Sequence, residues 1–551
     1  MNCNQAIAHA LKAEGTEYLF AFPHNPVIDA CARIGIKPII GRTERTVINM
    51  ADGYSRLARR ERIGVVAVQY GPGAENAFGG VAQGFADSTP FLVLTGSYRA
   101  NRLDITPMFD AVPNYRAITK WAGQIATPDV TLDRVRRAFT LLRNGKSGPV
   151  LLQLPMDVGG REFPGDVDSY RPARRHRSMG DPADVAELVR RLLAAERPVI
   201  HAGAGVLYSD SSRRLVELAE RLHIPVCVTL NGKSAFPEDH PLSLGVFAKA
   251  NTLPACRFVS SADLVLGLGS SFSIANQQAS LPAGADLIQV LDSEVDLQKD
   301  YPVAHAVVGD LDLVLGQVLA EVDGAHPSPR PDPRPQIKAA HAEWMAQWSD
   351  RFADRASPLS PYHVIGELMA AVDLDETIVT HDSGFPRDQT APFWKSRPGG
   401  YYLGWGKSTQ LGYGLGLAYG AKLACPRKQV INIMGDAAVG MAGMDFETAA
   451  RNRIGVMTVI LNNGVMSGYG KHMPTAVEKW QADQLGGDYA ALGRALGVES
   501  ERVCEHDELA AAFQRGLAAA ADDRPYILEI MTRPDPVMSN YLQQFGLEQL
   551  N

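Results

Sequence analysis

The chain has 551 residues, a formal net charge of −7 at pH 7, 46% hydrophobic residues and 21% charged ones. This length predicts about three domains, at ~150 residues each, and a composition of this kind is typical of a globular protein. The acidic balance argues against a general nucleic-acid-binding protein, so we expect small molecules as partners.

The cysteines and the apolar runs bear on the cellular setting. None of the six cysteines lies in a CxxC pair or at zinc-site spacing, which predicts reduced and mostly buried thiols. No run of ~18 apolar residues occurs, and the N-terminal segment predicts an amphipathic helix instead of a signal peptide. We therefore expect a cytoplasmic protein without a membrane segment.

Two polar segments divide the chain into thirds. The first, from about Phe163 to Pro182, is rich in arginine, and the second, from His326 to Pro335, has alternating prolines that favour an extended spacer. Each third alternates short apolar runs with helical patterns, which predicts parallel sheets flanked by helices. The predicted fold class is therefore α/β with three domains, at residues 1–165, 183–325 and 356–535, joined by linkers at 166–182 and 326–355.

In the first third, a predicted strand at Pro38–Ile40 leads into a helical pattern that begins near Thr46. Glu44 lies at the turn between them, where a glutamate ordinarily complements the helix dipole. In the middle third, the predicted strands within Pro198–Gly205 and Asp263–Phe272 end in glycines. A dinucleotide site is possible at such strand ends, but no GxGxxG motif is complete, which favours a scaffold role.

The last third contains a strand, helix, strand unit. Apolar runs at Val430–Met434 and Val456–Leu461 predict two strands, a helix is predicted at Met444–Arg451, and the strands are followed by Asp436 and Asn463. Parallel strands joined by a right-handed crossover bring both residues to one edge of the sheet. A carboxylate and an amide oxygen there suit Mg²⁺ beside a substrate phosphate. The alternative is a helix cap at Asp436 and a turn at Asn463.

Three segments carry a resemblance to a known family. The first, Gly435–Asn463, is similar to the GDG…NN signature of thiamine diphosphate-dependent enzymes in the acetolactate synthase, benzoylformate decarboxylase and 2-hydroxyacyl-CoA lyase superfamily. The second, Gly41–Arg60, resembles the segment that gives this family its activating glutamate, and the third, Gln69–Ser97, resembles its glycine-rich turn, helix and strand. The resemblance spans the chain and implies pyrimidine-binding, central and diphosphate-binding domains, with thiamine diphosphate and Mg²⁺ as cofactors.

The resemblance also implies roles for individual residues. The Mg²⁺ ligands would be Asp436, Asn463 and the carbonyl of Val465. Glu44 would hydrogen-bond N1′ of the aminopyrimidine and so promote removal of the thiazolium C2 proton. The residues expected to contact the cofactor are Glu44, Asp382, Ser383, Gly384, Thr409, Leu411, Gly435, Ala437, Ala438 and Asn463.

Several of these positions have features of their own. Leu411 would be the apolar wedge beneath the bent cofactor. Without the resemblance, Leu411 would be assigned to the hydrophobic core. The backbone of Thr409 would face the 4′-amino group of the cofactor. Ala437 replaces the usual glycine, which would cost on the order of 1 kcal/mol if that position required a positive φ. Ala438 replaces a frequent hydroxyl, so backbone amides would hold more of the diphosphate.

The residues near the substrate depart further from the family pattern. His24 is a candidate acid-base group because imidazole titrates near neutrality, or else a hydrogen-bonded structural histidine. Gln69, the third catalytic candidate beside Glu44 and His24, lies where some decarboxylases carry a catalytic histidine. The paired histidines of pyruvate decarboxylases are absent, which disfavours that activity. Five further side chains are near the expected site and are assigned no role: Ser467, Tyr469, His472, Lys407 and His381.

The expected activity is cleavage or formation of a carbon–carbon bond in a 2-keto acid through an acyl-anion (enamine) intermediate, as in acetolactate synthases. One alternative keeps the cofactor but acts on a 2-hydroxyacyl-CoA or oxalyl-CoA, because His24–Ile39 resembles the start of those enzymes. A second alternative is a non-catalytic nucleotide-binding relative. The resemblance further implies a homodimer or homotetramer in which Glu44 acts on cofactor held by the partner, and we expect no flavin.

Overall fold

The computed structural model describes residues 1–103, 105–326, 330–466 and 468–548. Three six-stranded sheets follow one another along the chain, and every pairing between their strands is parallel. Helices pack on these sheets, which confirms the predicted α/β class. Among the described residues, no helix is long and apolar enough to cross a membrane.

The first sheet has the strand order β2-β1-β3-β4-β6-β5. Its strands are β1 (Tyr18–Ala21), β2 (Lys37–Ile40), β3 (Gly64–Val68), β4 (Phe91–Ser97), β5 (Trp121–Gln124) and β6 (Val150–Pro155). Its helices are α1 (Cys3–Ala13), α2 (Val27–Arg33), α3 (Glu44–Ala58), α4 (Pro72–Ala86), α5 (Ala111–Tyr115), α6 (Thr131–Arg143) and α7 (Met156–Gly159). The central strands β3 and β6 are buried along their whole length, as expected for strands covered on both faces.

The second sheet has the order β12-β11-β10-β7-β8-β9. Its strands are β7 (Pro198–Ala202), β8 (Val226–Val228), β9 (Ser243–Val246), β10 (Leu264–Leu268), β11 (Asp286–Leu291) and β12 (His305–Val308). The flanking helices are α8 (Pro182–Ala194), α9 (Gly205–Tyr208), α10 (Ser212–Leu222), α11 (Leu253–Ser260) and α12 (Leu311–Ala325). The two predicted glycine-ended strands are therefore present, as β7 and β10, and are shorter than their apolar runs.

Two helices, α13 (Arg334–Ala346) and α14 (Ser349–Ala353), lie within the segment interpreted from sequence as the second linker. Trp344 is buried and stacks on Phe393 with ring centroids 4.9 Å apart and an interplanar angle of 7°. Trp348 is also buried and packs edge-on against the same ring. This part of the linker is consequently packed on the third sheet's domain, since its tryptophans supply apolar surface that an extended spacer would leave exposed.

The third sheet has the order β14-β13-β15-β16-β18-β17. Its strands are β13 (Thr377–His381), β14 (Tyr402–Leu403), β15 (Gln429–Gly435), β16 (Met457–Asn462), β17 (Glu499–Val503) and β18 (Tyr526–Met531). Its helices are α15 (Pro361–Ala371), α16 (Phe385–Thr390), α17 (Tyr413–Ala424), α18 (Asp436–Ala442), α19 (Phe446–Asn452), α20 (Pro474–Trp480), α21 (Tyr489–Ala495) and α22 (His506–Ala521).

One element near the site differs from its prediction. The sequence predicted a turn after Asp436 and a helix over Met444–Arg451, whereas α18 begins at Asp436 itself and a 3₁₀ turn at Gly443–Asp445 separates it from α19. Alanines favour helix even without an amphipathic pattern, and the Asp436 carboxylate suits the positive end of the helix dipole. Ala437 is accordingly helical and does not have a positive φ, so the conditional cost of replacing glycine there does not arise.

Helices α3 and α17 join the first and third sheets through an interface of small residues. A Cβ atom added to Gly53 would lie 2.3 Å from the backbone oxygen of Leu417, and one added to Gly420 would lie 2.0 Å from that of Met50. Such distances leave no room for a methyl group against rigid backbone. The two helices can therefore approach this closely only because glycine occupies both positions.

We expect Gly53→Ala to destabilise the protein by about 1–3 kcal/mol, because α3 must move away from α17 to admit the methyl group. Urea unfolding followed by circular dichroism measures this change. Gly324→Ala, on α12, is the matched control because its new Cβ would have no neighbour within 4 Å. An unchanged urea midpoint for Gly53→Ala would contradict the close packing of these helices.

A buried histidine on β7 predicts acid sensitivity. His201 donates to or accepts from Ser270 Oγ at 2.9 Å, and burial lowers its pKa from 6.5 to about 4. The folded state therefore favours the neutral ring, while the unfolded chain takes up a proton near pH 6.5. As the pH falls from about 6.5 to 4, this residue should lower the free energy of unfolding by up to about 3 kcal/mol.

The measurement is the urea midpoint between pH 7 and 4 for His201→Asn and wild type. We expect a shallower pH dependence in the variant, whatever its stability at pH 7. Replacing the exposed His9 in the same way is the control and should leave the slope unchanged. Equal slopes for His201→Asn and wild type would contradict the account.

Candidate active site

The three predicted catalytic residues follow three adjacent strands of the first sheet. His24 comes after β1, Glu44 after β2 and Gln69 after β3, and the sheet order places β1 between the other two. Parallel strands have their carboxyl ends at the same edge, and neighbouring strands lie roughly 4.8 Å apart. The fold thus gathers these side chains at one edge, although they are separated along the sequence.

Glu44 is the first residue of α3, where Thr43 caps the helix by accepting a hydrogen bond from the amide of Thr46. Its side chain is buried, and Asn76 Nδ2 donates to its Oε2 at 3.4 Å. A Cβ on Gly73 would lie 3.6 Å from Glu44 Oε1 and 2.9 Å from Gln69 Cβ. Glycine at this position therefore leaves open the space that Glu44 and Gln69 share.

His24 is exposed, and its neighbour Asn25 anchors the loop that carries it. The Asn25 amide donates to the carbonyls of Val68 at 3.1 Å and Leu94 at 3.3 Å, and its oxygen accepts from the amide of Val27. These carbonyls belong to β3 and β4. The buried asparagine holds His24 at the sheet edge, a role that sequence reasoning did not assign to it.

On the third sheet, the predicted cofactor residues also follow adjacent strands. Asp382, Ser383 and Gly384 come after β13, Asp436 follows β15, and Asn463 follows β16. The buried Asp436 carboxylate accepts from the amides of Ala437 and Gly464, each at 2.8 Å. The structure thus brings the loop after β16 onto Asp436, as the strand, helix, strand prediction required.

The surroundings of Asp436 fit a divalent cation. Burial raises the pKa of Asp436, although hydrogen bonds from nearby backbone amides oppose the rise. Within the described residues, no lysine or arginine forms an ion pair with it. Asn463 Oδ1 accepts from the amide of Val465 at 3.1 Å, and Val465 forms an isolated antiparallel β-bridge with Gln484. The loop that contains Asn463 and Val465 is thus joined to Asp436 by the hydrogen bond from Gly464. The oxygens of all three residues are of the type that Mg²⁺ prefers as ligands.

Asp382 clamps the loop that precedes α17. Its Oδ1 accepts from the amides of Ser383 at 2.7 Å and Gly412 at 2.9 Å, and its Oδ2 accepts from Gly414 at 3.0 Å. The carboxylate is fully buried, and burial raises its pKa to about 6. Both oxygens are thus used within the protein, so a contact with diphosphate at this strand end is expected from Ser383 and Gly384, which are not buried.

The clamped loop carries Thr409 and Leu411. Thr409 is exposed, its carbonyl accepts from Ser383 Oγ at 3.3 Å, and Leu411 is half-buried against the core. Gly412 follows in the left-handed region at φ 82°, where an added Cβ would lie 2.8 Å from Met441 Cβ. The loop therefore passes directly beside α18, which begins at Asp436.

The edges of the first and third sheets meet within the chain. Asp445 accepts from the amide of Arg42 at 2.7 Å, and Arg45 donates to the carbonyl of Met441 at 3.1 Å. Burial lowers the pKa of Arg45, while its proximity to Asp382 opposes that shift. Residues on either side of Glu44 are thus fixed to the segment that follows Asp436. Sequence analysis did not single out Asp445, which makes one of these two contacts.

The remaining predicted residues fall into distinct settings. Gly435 and Ala437 are half-buried at the start of α18, and Ala438 is buried. His381 is fully buried, and burial lowers its pKa to about 3, so it is a neutral core residue. Lys407 instead donates to Ser271 of the central domain at 3.1 Å. Tyr469 and His472 are exposed, and Ser467 lies outside the described residues.

The chain was compared with known families. Models of the thiamine pyrophosphate enzymes match three regions in order: the N-terminal TPP binding domain at 1–116, the central domain at 185–318 and the C-terminal TPP binding domain at 382–530. These regions contain the first, second and third sheets in part or in whole.

Similar proteins span nearly the whole chain. An acetolactate synthase large subunit from Parasynechococcus marenigrum is 30% identical, with 92% of this chain and 85% of the relative aligned. A probable acetolactate synthase large subunit from Methanocaldococcus jannaschii is 29% identical, covering 96% of this chain and 92% of the relative. The fold resembles that of benzoylformate decarboxylase from Polynucleobacter necessarius, with a TM-score of 0.81, 21% identity and coverage of 98% of this chain and 100% of that one. The chain belongs to the thiamine pyrophosphate enzyme family and is a thiamine diphosphate-dependent enzyme.

Proposed function

We propose that the protein is an acetolactate synthase-like enzyme that uses thiamine diphosphate and Mg²⁺ to cleave or form a carbon–carbon bond in a 2-keto acid. The observation that carries this proposal is that the carboxyl edge of the first sheet bears Glu44 and the carboxyl edge of the third sheet bears Asp436 and Asn463. Curated relatives that align over most of the chain are named acetolactate synthases, which supports the choice of reaction class.

Bound thiamine diphosphate supplies a nucleophilic carbon and an electron sink for carbonyl chemistry. Asp436, Asn463 and the Val465 carbonyl would hold Mg²⁺ beside the diphosphate. The Glu44 carboxyl group would hydrogen-bond the pyrimidine ring at N1′ and so assist proton transfer by the cofactor. Its burial favours this role because little water competes for the carboxylate.

The substrate-facing groups are His24 and Gln69. His24 is exposed at the end of β1, where its imidazole can give a proton to, or take one from, a substrate oxygen. Gln69 lies beside Glu44 across Gly73, and its amide can donate to a substrate carboxylate. A keto acid presents both acceptors close together, which supports the assignment of the substrate class.

An acyl-CoA substrate is the second candidate, because a cleft at the carboxyl edge of the central sheet is lined by Arg60, Lys146, Arg175 and Lys407. Such groups could hold CoA phosphates. However, Asp292 pairs with Arg60, Asp296 with Lys146 and Asp310 with Arg175, which leaves less positive charge for a ligand. This pairing favours the 2-keto acid. A non-catalytic nucleotide-binding relative is disfavoured because the chain has the base Glu44 together with Asp436 and Asn463.

The test is incubation of the holoenzyme with separate 2-keto acids, alone and in pairs, followed by mass spectrometry of the products and measurement of carbon dioxide. We expect turnover of at least one keto acid and none of 2-hydroxyacyl-CoA thioesters. Cleavage of a thioester with no reaction of any keto acid would support the second candidate instead. The same enzyme heated to unfolding is the control.

We further propose that the protein self-associates as a homodimer or homotetramer, with Glu44 acting on cofactor held by the partner. Exposed apolar side chains beside the cofactor loops support this assembly: Met441 and Met444 are each 46% exposed, Tyr469 is 59% exposed and Trp480 is 78% exposed. Another subunit would remove them from water. Sedimentation of active enzyme as a monomer in analytical ultracentrifugation would contradict the proposal.

A further inference from the structure

Two histidines and a glutamate lie together between α15 and α22. The Nε2 atom of His363 is 2.7 Å from the Nδ1 atom of His506, and Glu367 follows His363 by one helical turn on α15. One potential ligand atom from each of the three residues lies within 4.8 Å of the others. His363 is buried and the other two are half-buried, so the cluster opens to solvent on one side.

The hydrogen bonds of His363 fix its imidazole ring in the orientation that a metal ligand needs. Its Nδ1 atom lies 2.7 Å from the carbonyl oxygen of Phe352, which can only accept. In the neutral ring, Nδ1 therefore carries the proton and the lone pair of Nε2 points toward His506. A backbone carbonyl that fixes the tautomer in this way is the usual outer partner of a metal-bound histidine.

The charge around the cluster also favours a cation. Among the described residues, the Glu367 carboxylate forms no hydrogen bond and no ion pair, although it is half-buried. Asp507 Oδ1 lies 4.0 Å from His506 Nε2, and Asp354, which pairs with Arg533, is close enough to interact with His363. A divalent ion would supply Glu367 with the positive charge that no basic side chain among the described residues provides to it.

We propose that His363, Glu367 and His506 bind a zinc-type transition-metal ion at a site separate from the cofactor crevice. Two imidazoles and one carboxylate form a known zinc ligand set, with water in the fourth position. Metal–nitrogen bonds of about 2.0–2.1 Å put tetrahedral nitrogens about 3.3 Å apart, so the histidine pair must open by roughly 0.6 Å. His506 can make this movement because it is half-exposed at the first residue of α22.

The place of the cluster indicates that it joins two helices. In the sheet order, β18 lies between β16, which ends just before Asn463, and β17, which leads into α22. The cluster therefore lies at the carboxyl edge of the same sheet as the Asp436–Asn463 loops, on the far side of β18 from Asn463. His363 and His506 are 143 residues apart in sequence, so a shared ion would fasten the last helix to the first helix of this domain.

The test is isothermal titration of the full-length protein with ZnCl₂. The protein is first stripped with a chelator and then given thiamine diphosphate and saturating Mg²⁺, which occupies oxygen sites but not imidazoles. We expect one saturable zinc site per chain, weaker by about tenfold or more in His506→Ala and in Glu367→Gln, because even outer-partner losses cost 10–100-fold. His9→Ala, at an exposed histidine on α1, should bind zinc as wild type does.

The same proteins are heated with and without zinc. Zinc should raise the melting temperature of wild type and of His9→Ala, and should not raise that of the two cluster variants. Circular dichroism without zinc establishes whether each variant is folded. If His506→Ala is not folded, the more conservative variant Glu367→Gln provides the test. Failure of folded wild-type protein to bind zinc, or equal affinity in all four proteins, would overturn the proposal.

Discussion

Replacement of Asp436 by alanine is expected to abolish Mg²⁺-dependent binding of thiamine diphosphate. The change removes the carboxylate that lies at the junction of β15, α18 and the loop after β16, and with it the acceptor of two backbone hydrogen bonds at 2.8 Å. Each charge-assisted hydrogen bond contributes about 1.5–3 kcal/mol, so the loop should loosen as well as lose a metal ligand. Calorimetric titration with thiamine diphosphate, at zero and saturating Mg²⁺, measures the effect.

Two further variants separate the metal ligand from the loop scaffold. Asp436→Asn keeps one acceptor oxygen but loses the charge, so we expect weak cofactor binding with little dependence on Mg²⁺. Glu478→Gln, at an exposed carboxylate on α20, is the matched control and should bind as wild type does. Wild-type cofactor affinity and Mg²⁺ dependence in Asp436→Ala would show that the ion binds elsewhere.

Replacement of Glu44 by glutamine is expected to leave cofactor affinity nearly unchanged and to slow exchange of the thiazolium C2 proton by at least about a hundredfold. The amide has the shape of the carboxylate but cannot perform its proton chemistry, and positioned acid-base groups contribute typically 10²–10⁴-fold. Exchange into deuterated water, quenched with acid and read by NMR, measures this rate without knowledge of the substrate.

The control for this variant is Glu75→Gln on α4, because Glu75 is exposed and close in sequence to the same region. It should exchange the proton at the wild-type rate. If Glu44→Gln binds cofactor and also exchanges at that rate, the assigned role of Glu44 is wrong. Loss of cofactor binding in Glu44→Gln would instead indicate that the residue mainly holds the site together.

The strands of the site could be predicted because they are continuous apolar runs. β15 and β16 are covered on both faces, so their buried residues stand out against the polar residues at their ends. The parallel arrangement then follows from the helix between them, and it places Asp436 and Asn463 at one edge. By contrast, α18 has small residues without helical periodicity, and its start at Asp436 was not predictable from pattern.

The tertiary contacts of the site could not be predicted. Asp382 clamps Gly412, which is 30 residues away, and Asp445 holds the amide of Arg42 across the interface of two sheets. Local sequence shows only an aspartate after a strand and another near a helix start. Their partners depend on how the sheets meet, which no local pattern encodes, and for this reason the cofactor was clearer from sequence than the substrate.

A crystal structure of the full-length protein with thiamine diphosphate and Mg²⁺ tests the central claim most directly. We predict Mg²⁺ at about 2.0–2.1 Å from oxygens of Asp436, Asn463 and Val465, and a Glu44 carboxylate within hydrogen-bond distance of the pyrimidine ring. Diphosphate bound in the central cleft, or a pyrimidine ring remote from every Glu44, would contradict the account.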